Sequence, residues 1–150
     1  MITAVDTNVL LDILIPDESH FLSSKKLLDG YVSKGQLIIS EIVCAELAAQ
    51  FANEKEVGAF LSDTGIRLIH SNVKSLYMAG ERWKEYAKNR KPILCPKCHH
   101  PIKLRQRVLS DFIIGAHAIL NSDLLLSRDR GFYKEYFKDL KVEGERLSQT

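Results

Sequence analysis

The 150-residue chain lacks any apolar stretch approaching the roughly 18 residues that a membrane-spanning helix requires. Its opening, Met1-Ile2-Thr3-Ala4-Val5-Asp6, has no basic n-region and places an acid inside the first apolar run, which argues against a secretory leader. Cysteine is scarce and odd in number, three in all, so a disulfide framework is excluded and a reducing, cytoplasmic setting is expected. The glycine patterns of P-loops and of dinucleotide-binding turns are missing, which removes support for nucleotide-driven functions. No repeat, linker or low-complexity run divides the chain. With 45% apolar and 27% charged residues, the composition is that of a single globular domain spanning 1–150. A chain of this length buries roughly 70% of its unfolded surface, so it needs neither a disulfide nor a metal to hold a core.

Net charge is also small, +2, but it is unevenly spread. Residues 82–107 hold nine Lys or Arg against one acid, Glu85, a local balance of +8 that leaves −6 on the rest of the chain. The segment reads either as a polyanion-facing patch on an acidic body or as a solvated helix followed by a basic loop.

Short apolar runs alternate with longer stretches of helical period. Strands are expected at 2–5, 37–39, 66–69, 124–126 and, more weakly marked, 140–142; helices at 8–15, 19–34, 41–52, 54–63, 73–90, 110–121 and 130–137. The strand runs are nearly continuous in apolar character, as strands covered on both faces are. The alternation predicts an α/β fold, a mostly parallel sheet of about five strands between two helical layers. Ser40, Asn72 and Ser110 stand where N-caps belong. Lys91 to Arg107, with Pro92, Pro96 and Pro101, reads as a basic loop inserted before the last long helix.

Open parallel sheets bind ligands beyond the carboxyl ends of their strands, so the polar residues at those ends are the ones to weigh. Asp6 directly follows the first strand, and Asp129 follows the 124–126 run after Ser127 and Arg128. Asp111 sits in the first turn of the apolar helix that runs on from Phe112. Glu46 lies within Ile42-Val43-Cys44-Ala45-Glu46-Leu47-Ala48, where a carboxylate is costly unless paired or bound to metal. Each acid also has an ordinary reading: Asp6 as an N-cap, Asp111 as a partner of the helix dipole, Asp129 as a turn residue. Four converging carboxylates, by contrast, repel one another unless a cation sits between them. An all-oxygen set suits Mg²⁺ or Mn²⁺, and such ions serve in-line displacement at phosphodiesters.

Val5-Asp6-Thr7-Asn8-Val9-Leu10, Cys44-Ala45-Glu46-Leu47, Ser110-Asp111-Phe112-Ile113-Ile114-Gly115-Ala116-His117-Ala118 and Leu126-Ser127-Arg128-Asp129-Arg130-Gly131-Phe132-Tyr133 together resemble the PIN-domain ribonucleases. Among these, the toxins of VapBC-type toxin–antitoxin systems are the nearest in pattern, over about 2–90 and 108–142. The resemblance implies a three-layer PIN-like fold and a Mg²⁺- or Mn²⁺-dependent endoribonuclease. Its catalytic and metal-holding acids would be Asp6, Glu46, Asp111 and Asp129, with Asp6 and Asp111 the leading direct ligands and Glu46 acting through water. Thr7, Asn8 and Ser127 would support them or touch substrate. It further implies an RNA substrate, a small antitoxin partner and a homodimer, with no membrane.

Asp12 stands six residues beyond Asp6, too far round a helix to share its face, and Asp17 and Asp123 read as loop acids. His117 reads as a packed core histidine. Arg128 and Arg130 suit phosphate contact or plain solvation equally well. The segment Cys95-Pro96-Lys97-Cys98-His99-His100 departs from the shorter PIN pattern; its two-residue cysteine spacing is that of half a zinc site. A full site needs four ligands, and adjacent histidines are an awkward pair, so zinc binding stands beside the reading as a simple basic loop.

Alternatives to the toxin are an RNA-processing or ribosome-maturation nuclease and a non-catalytic RNA-binding domain. A haloacid-dehalogenase-type phosphatase expects a second acid two residues after the first, where this chain has Asn8.

Overall fold

The computed structural model describes residues 1–90, 93–102 and 109–144. Along the chain run β1 (Ile2–Val5), α1 (Thr7–Leu14), α2 (Phe21–Val32), β2 (Gln36–Ile39), α3 (Glu41–Ala48), α4 (Glu54–Thr64), β3 (Arg67–Leu68) and α5 (Val73–Asn89). They are followed by β4 (Ile93–Leu94), β5 (Pro101–Ile102), α6 (Leu109–Asn121), β6 (Leu124–Leu126), α7 (Arg130–Tyr136) and β7 (Val142–Glu143).

The expected α/β architecture is there. Five strands form one parallel sheet in the order β3-β2-β1-β6-β7 within a three-layer α/β/α sandwich. Its centre is made by the most continuous apolar runs: Leu37 to Ile39 and Leu124 to Leu126 are buried throughout, as are Ala4 and Val5. A fully buried side chain of this kind contributes roughly 1.5–3 kcal/mol, which is why these short runs fix the sheet before any edge does. α6 is the central helix, with Phe112, Ile114, Ala116 and Ala118 buried, and α5 packs chiefly against it.

The edges depart most from expectation. β3 shrinks to two residues, and β7 lies at Val142–Glu143 rather than 140–142. Leu140 instead closes the turn after α7, its N–H donating to the Phe137 carbonyl at 2.9 Å. α3 stops at Ala48, short of 52, because Gln50 and Phe51 bond back by tight i−3 turns and Phe51 then packs on Phe60. Ser40 and Asn72 cap α3 and α5 as expected, accepting from Val43 N–H (3.3 Å) and Ser75 N–H (2.9 Å). Ser110 is no cap, since it falls inside α6. The segment expected as a loop carries a hairpin, β4 against β5, while residues 91–92 and 103–108 of it lie outside the described residues.

At two of the contacts between elements only glycine fits. A Cβ on Gly115 would stand 2.6–2.8 Å from the Phe137 ring, and one on Gly144 only 2.0 Å from the Ser127 carbonyl oxygen. The first lets α7's end pack flat on α6; the second lets the chain after β7 lie close to the end of β6.

The sheet order reverses direction between β1 and β6, so their carboxyl ends open a crevice. Register does the rest. Val5 pairs with Leu126, and Asp6 N–H donates to the Leu126 carbonyl at 2.9 Å, which sets Asp6 beside Ser127.

Candidate active site

Asp6, Glu46, Asp111 and Asp129 all line one open cleft of about 680 Å³, together with Thr7, Asn8, Leu11, Ile114 and Arg128. Each acid comes from a different junction: Asp6 from the end of β1, Glu46 from α3, Asp111 from the first turn of α6, and Asp129 from the turn between β6 and α7.

Asp6 is the anchor. It is 6% exposed, and the hydrogen bonds to its carboxylate come from neighbouring side chains and the start of α1. Oδ1 accepts from Thr7 N–H at 2.8 Å, so the residue is also the N-cap of α1. Oδ2 accepts from the Ser127 hydroxyl (2.6 Å), the Asn8 carboxamide (3.2 Å) and the Tyr133 hydroxyl (3.2 Å). Burial raises its pKa from an ordinary 3.8 to about 6; the Ser127 and Thr7 bonds pull it down, while the negative charge of Asp111 pushes it up again. The capping role and the site role are therefore the same side chain in the same place.

Ser127 and Asn8 tie the two strand ends together. Ser127 Oγ, fully buried, accepts from Asp129 N–H (3.0 Å) and from Asn8 Nδ2 (3.2 Å) while donating to Asp6. Asn8 Oδ1 accepts from Arg128 N–H at 3.1 Å. The asparagine at position 8 thus serves as a two-handed brace. Asp129 flanks the start of α7 but its side chain makes no capping bond there, consistent with its facing the cleft.

Glu46 differs from expectation. It is exposed, because α3 buries Val43 and Leu47 and turns Ala45 and Glu46 outward, so no desolvation cost marks it. Its link to the site is direct all the same, since the Thr7 hydroxyl donates to Glu46 Oε2.

Sequence reasoning passed over Tyr133. It stands one turn after Asp129 on α7, 1% exposed, and donates to Asp6. Burial, followed by the negative charges of Asp6, Asp111 and Asp129, holds its hydroxyl well above the ordinary tyrosine pKa, so it remains a neutral donor. The i+4 spacing from Asp129 was the available signal.

Asp12 is not among the residues that line the cleft, but it is no idle acid. Buried at 4% exposure, it takes the Ser24 hydroxyl (2.6 Å) and clamps the Arg128 guanidinium, with Nε at 2.8 Å and Nη2 at 3.0 Å. Arg128 is thereby pinned at the cleft's edge. Arg130 instead lines a separate hollow with Lys134 and Lys138. Asp17 and Asp123 hold backbone N–H groups of Ser19 and Ile2. His117 is a core residue, 1% exposed, its Nε2 2.7 Å from the Ile69 carbonyl oxygen. Of the basic segment, Arg82 is taken up internally by a bidentate pair with Asp139 (both 2.7 Å) and lies over the Phe137 ring, whereas Lys84, Lys88 and Arg90 are exposed.

Among the described residues, no three His, Cys, Asp or Glu side chains are grouped as they stand to grip one ion directly. The donor set nevertheless fits a hard divalent cation, which keeps several waters and takes only one or two carboxylates. Burial is the chief cause of the raised Asp6 pKa, and the negative charge of Asp111 adds to it.

A parallel α/β sandwich with acids gathered at its switch point defines a class of domain, and the PIN domain family pattern matches residues 3–138. The chain belongs to the PIN domain family. No curated protein matches it. Among solved structures it is similar to VapBC2 from Rickettsia felis, bound to a DNA fragment from its promoter, with 22% identity and a TM-score of 0.63 over 96% of this chain and 98% of that one. It is similar likewise to VapBC-1 from nontypeable Haemophilus influenzae, at 20% identity and TM-score 0.65 over the same shares. A third is Mycobacterium tuberculosis VapC20, described as a sarcin-ricin loop cleaving toxin, at 16% identity and TM-score 0.56 over 93% of this chain and 98% of that one. Among the described residues, no helix is long and apolar enough to cross a membrane.

Proposed function

We propose that this protein is a Mg²⁺- or Mn²⁺-dependent endoribonuclease, the toxin of a toxin–antitoxin pair. The observation that carries the reading is the convergence of Asp6, Glu46, Asp111 and Asp129 on one cleft at the reversal of the sheet. Membership of the PIN family supports it, as does the likeness of the fold to proteins described as VapBC complexes and to one described as a sarcin-ricin loop cleaving toxin.

Asp6 and Asp111 would be the leading holders of the ion, with Asp129 next and Glu46 acting through water. Such an ion would lower the pKa of a bound water, making hydroxide available to attack phosphorus, and would offset the charge on the phosphoryl oxygens. The protein's part is positioning. Ser127, Asn8, Thr7 and Tyr133 hold the Asp6 carboxylate in one orientation, so little reorganises during reaction. Arg128, pinned by Asp12, presents its guanidinium to a phosphate of the RNA. The exposed Lys84, Lys88 and Arg90 extend that attraction along the backbone. Val73, Leu76, Tyr77 and Trp83 make an exposed apolar stripe along α5, a face suited to homodimer contact. An antitoxin segment would cover the acidic cleft.

The test is RNA cleavage with added Mg²⁺ or Mn²⁺. Replacing Asp6 or Asp111 by Asn is expected to lower the rate by about a thousandfold, the scale of losing a principal electrostatic group. Unchanged cleavage would remove the enzyme assignment. Expression without a partner should arrest growth; undiminished growth together with intact nuclease activity in vitro would point to an RNA-processing enzyme instead.

A further inference from the structure

The four-acid cleft leaves the β4–β5 hairpin without a role. Ile93 pairs with Ile102 and Leu94 with Pro101, so the turn is the six residues Cys95 to His100. Cys95 N–H donates to the His100 carbonyl at 2.8 Å, and His99 N–H to the Cys95 carbonyl at 2.9 Å. His99 takes a left-handed φ of 58°, uncommon for a residue other than glycine. That conformation falls directly after Cys98, so the turn closes with both cysteines inside it.

We propose that Cys95 and Cys98 are half of a tetrahedral zinc site, completed by the same pair from a second copy of this chain. Two cysteines share one six-residue turn, and thiolate-rich tetrahedral sites select Zn²⁺ over the hard ions suited to carboxylates. A tetrahedral site needs two more ligands. Among the described residues no group of three His, Cys, Asp or Glu is disposed to hold an ion, and residues 91–92, 103–108 and 145–150 contain neither cysteine nor histidine. Cys44 stands half-buried on α3 beside Ala48 and Phe51. The His100 ring is engaged through Nδ1 with the Cys98 carbonyl at 3.1 Å. Lys97, Cys98, His99 and His100 are all exposed, so the tip is open to a second copy. Charge agrees as well: a zinc dication with four thiolates carries −2, and two copies bring two Lys97 side chains to the same place.

The experiment uses the full chain, purified reduced and without chelator after growth with zinc. Elemental analysis should find about half an equivalent of zinc per chain, the ratio a shared four-thiolate site demands. Cobalt substitution should give the intense thiolate-to-cobalt absorption of a four-sulfur tetrahedral site. Cys95→Ser and Cys98→Ser should each abolish both signals while the far-ultraviolet circular dichroism stays unchanged. If a serine variant fails to fold, the cobalt spectrum of the unaltered chain decides alone. No zinc, a full equivalent per chain, a cobalt spectrum of two or fewer sulfurs, or a half equivalent that survives both substitutions would overturn the proposal. None of these readings depends on RNA cleavage, so this inference and the nuclease assignment stand or fall separately.

Discussion

The acid cleft and the cysteine hairpin are built on opposite plans. In the cleft, Asp6 and Ser127 are 121 positions apart in sequence and meet because Val5 and Leu126 are paired in the sheet. Its carboxylate is buried and its neighbours are locked by hydrogen bonds that cross β1, β6 and α7. In the hairpin, all the chemistry lies in six consecutive, largely exposed residues. A site built by topology is rigid and costs stability; a site built by local turn geometry is cheap but incomplete. The first can orient a reaction, and the second can only capture.

That contrast has measurable consequences. The largest concerns Asp6. Its folded pKa of about 6 exceeds its ordinary 3.8, so between those values the native state binds more protons than the unfolded chain. The stability contributed by its protonated form is present below about pH 4 and is lost as pH rises through about 6, a fall on the order of 3 kcal/mol in metal-free buffer. Asp6→Asn removes that dependence, so the variant should be the more stable protein above pH 6, as urea unfolding at several pH values would show. A variant less stable than the parent at pH 7.5 without metal would mean that the carboxylate is not under desolvation strain.

The next effect tests the packing that carries the cleft. Gly115→Ala forces a methyl group against the Phe137 ring and should cost about 1–3 kcal/mol of stability by overpacking. Thermal melting decides it; an unchanged midpoint would show that α7 is free to shift.

Tyr133→Phe is smaller. It removes one donor from Asp6 without altering the core volume, and since that bond lowers the Asp6 pKa, the acid limb of the pH–rate profile should move to higher pH. The rate at neutral pH should fall by about tenfold or less, the worth of one neutral hydrogen bond. An unmoved acid limb would separate Asp6 from the titration.

The smallest belongs to the hairpin. In zinc-free buffer Cys98→Ser should change stability by less than about 0.5 kcal/mol, the range for surface positions away from packed features. A larger loss would mean that the hairpin is part of the domain's core, and the comparison would fail.

Legibility in the sequence followed the same division. The buried strands at 2–5, 37–39 and 124–126 announced themselves because both faces are covered and the apolar run is unbroken. The edges did not: β7 needs only two residues, and Val142 pairs with Leu125 through a turn that Leu140 closes. The acids at strand ends were legible as candidates since position after a parallel strand is a sequence property. Glu46 was picked for the wrong reason, as its helix is apolar in composition yet turns that residue to solvent. The Asp12–Arg128 clamp was not legible, because burial by another element leaves no mark in local spacing, and Tyr133 left only its i+4 distance from Asp129. The β4–β5 hairpin was hidden by its prolines, although the cysteine spacing within it was plain.

The claim on which the account rests is that the four acids form one charge-dense site answered by a divalent cation. Calorimetric titration of Mn²⁺ into the unaltered protein and into Asp6→Asn at pH 7.5 tests it most directly. Saturable binding to the former, reduced at least about tenfold in the variant, is the predicted result. Equal binding to both, or none to either, would contradict it.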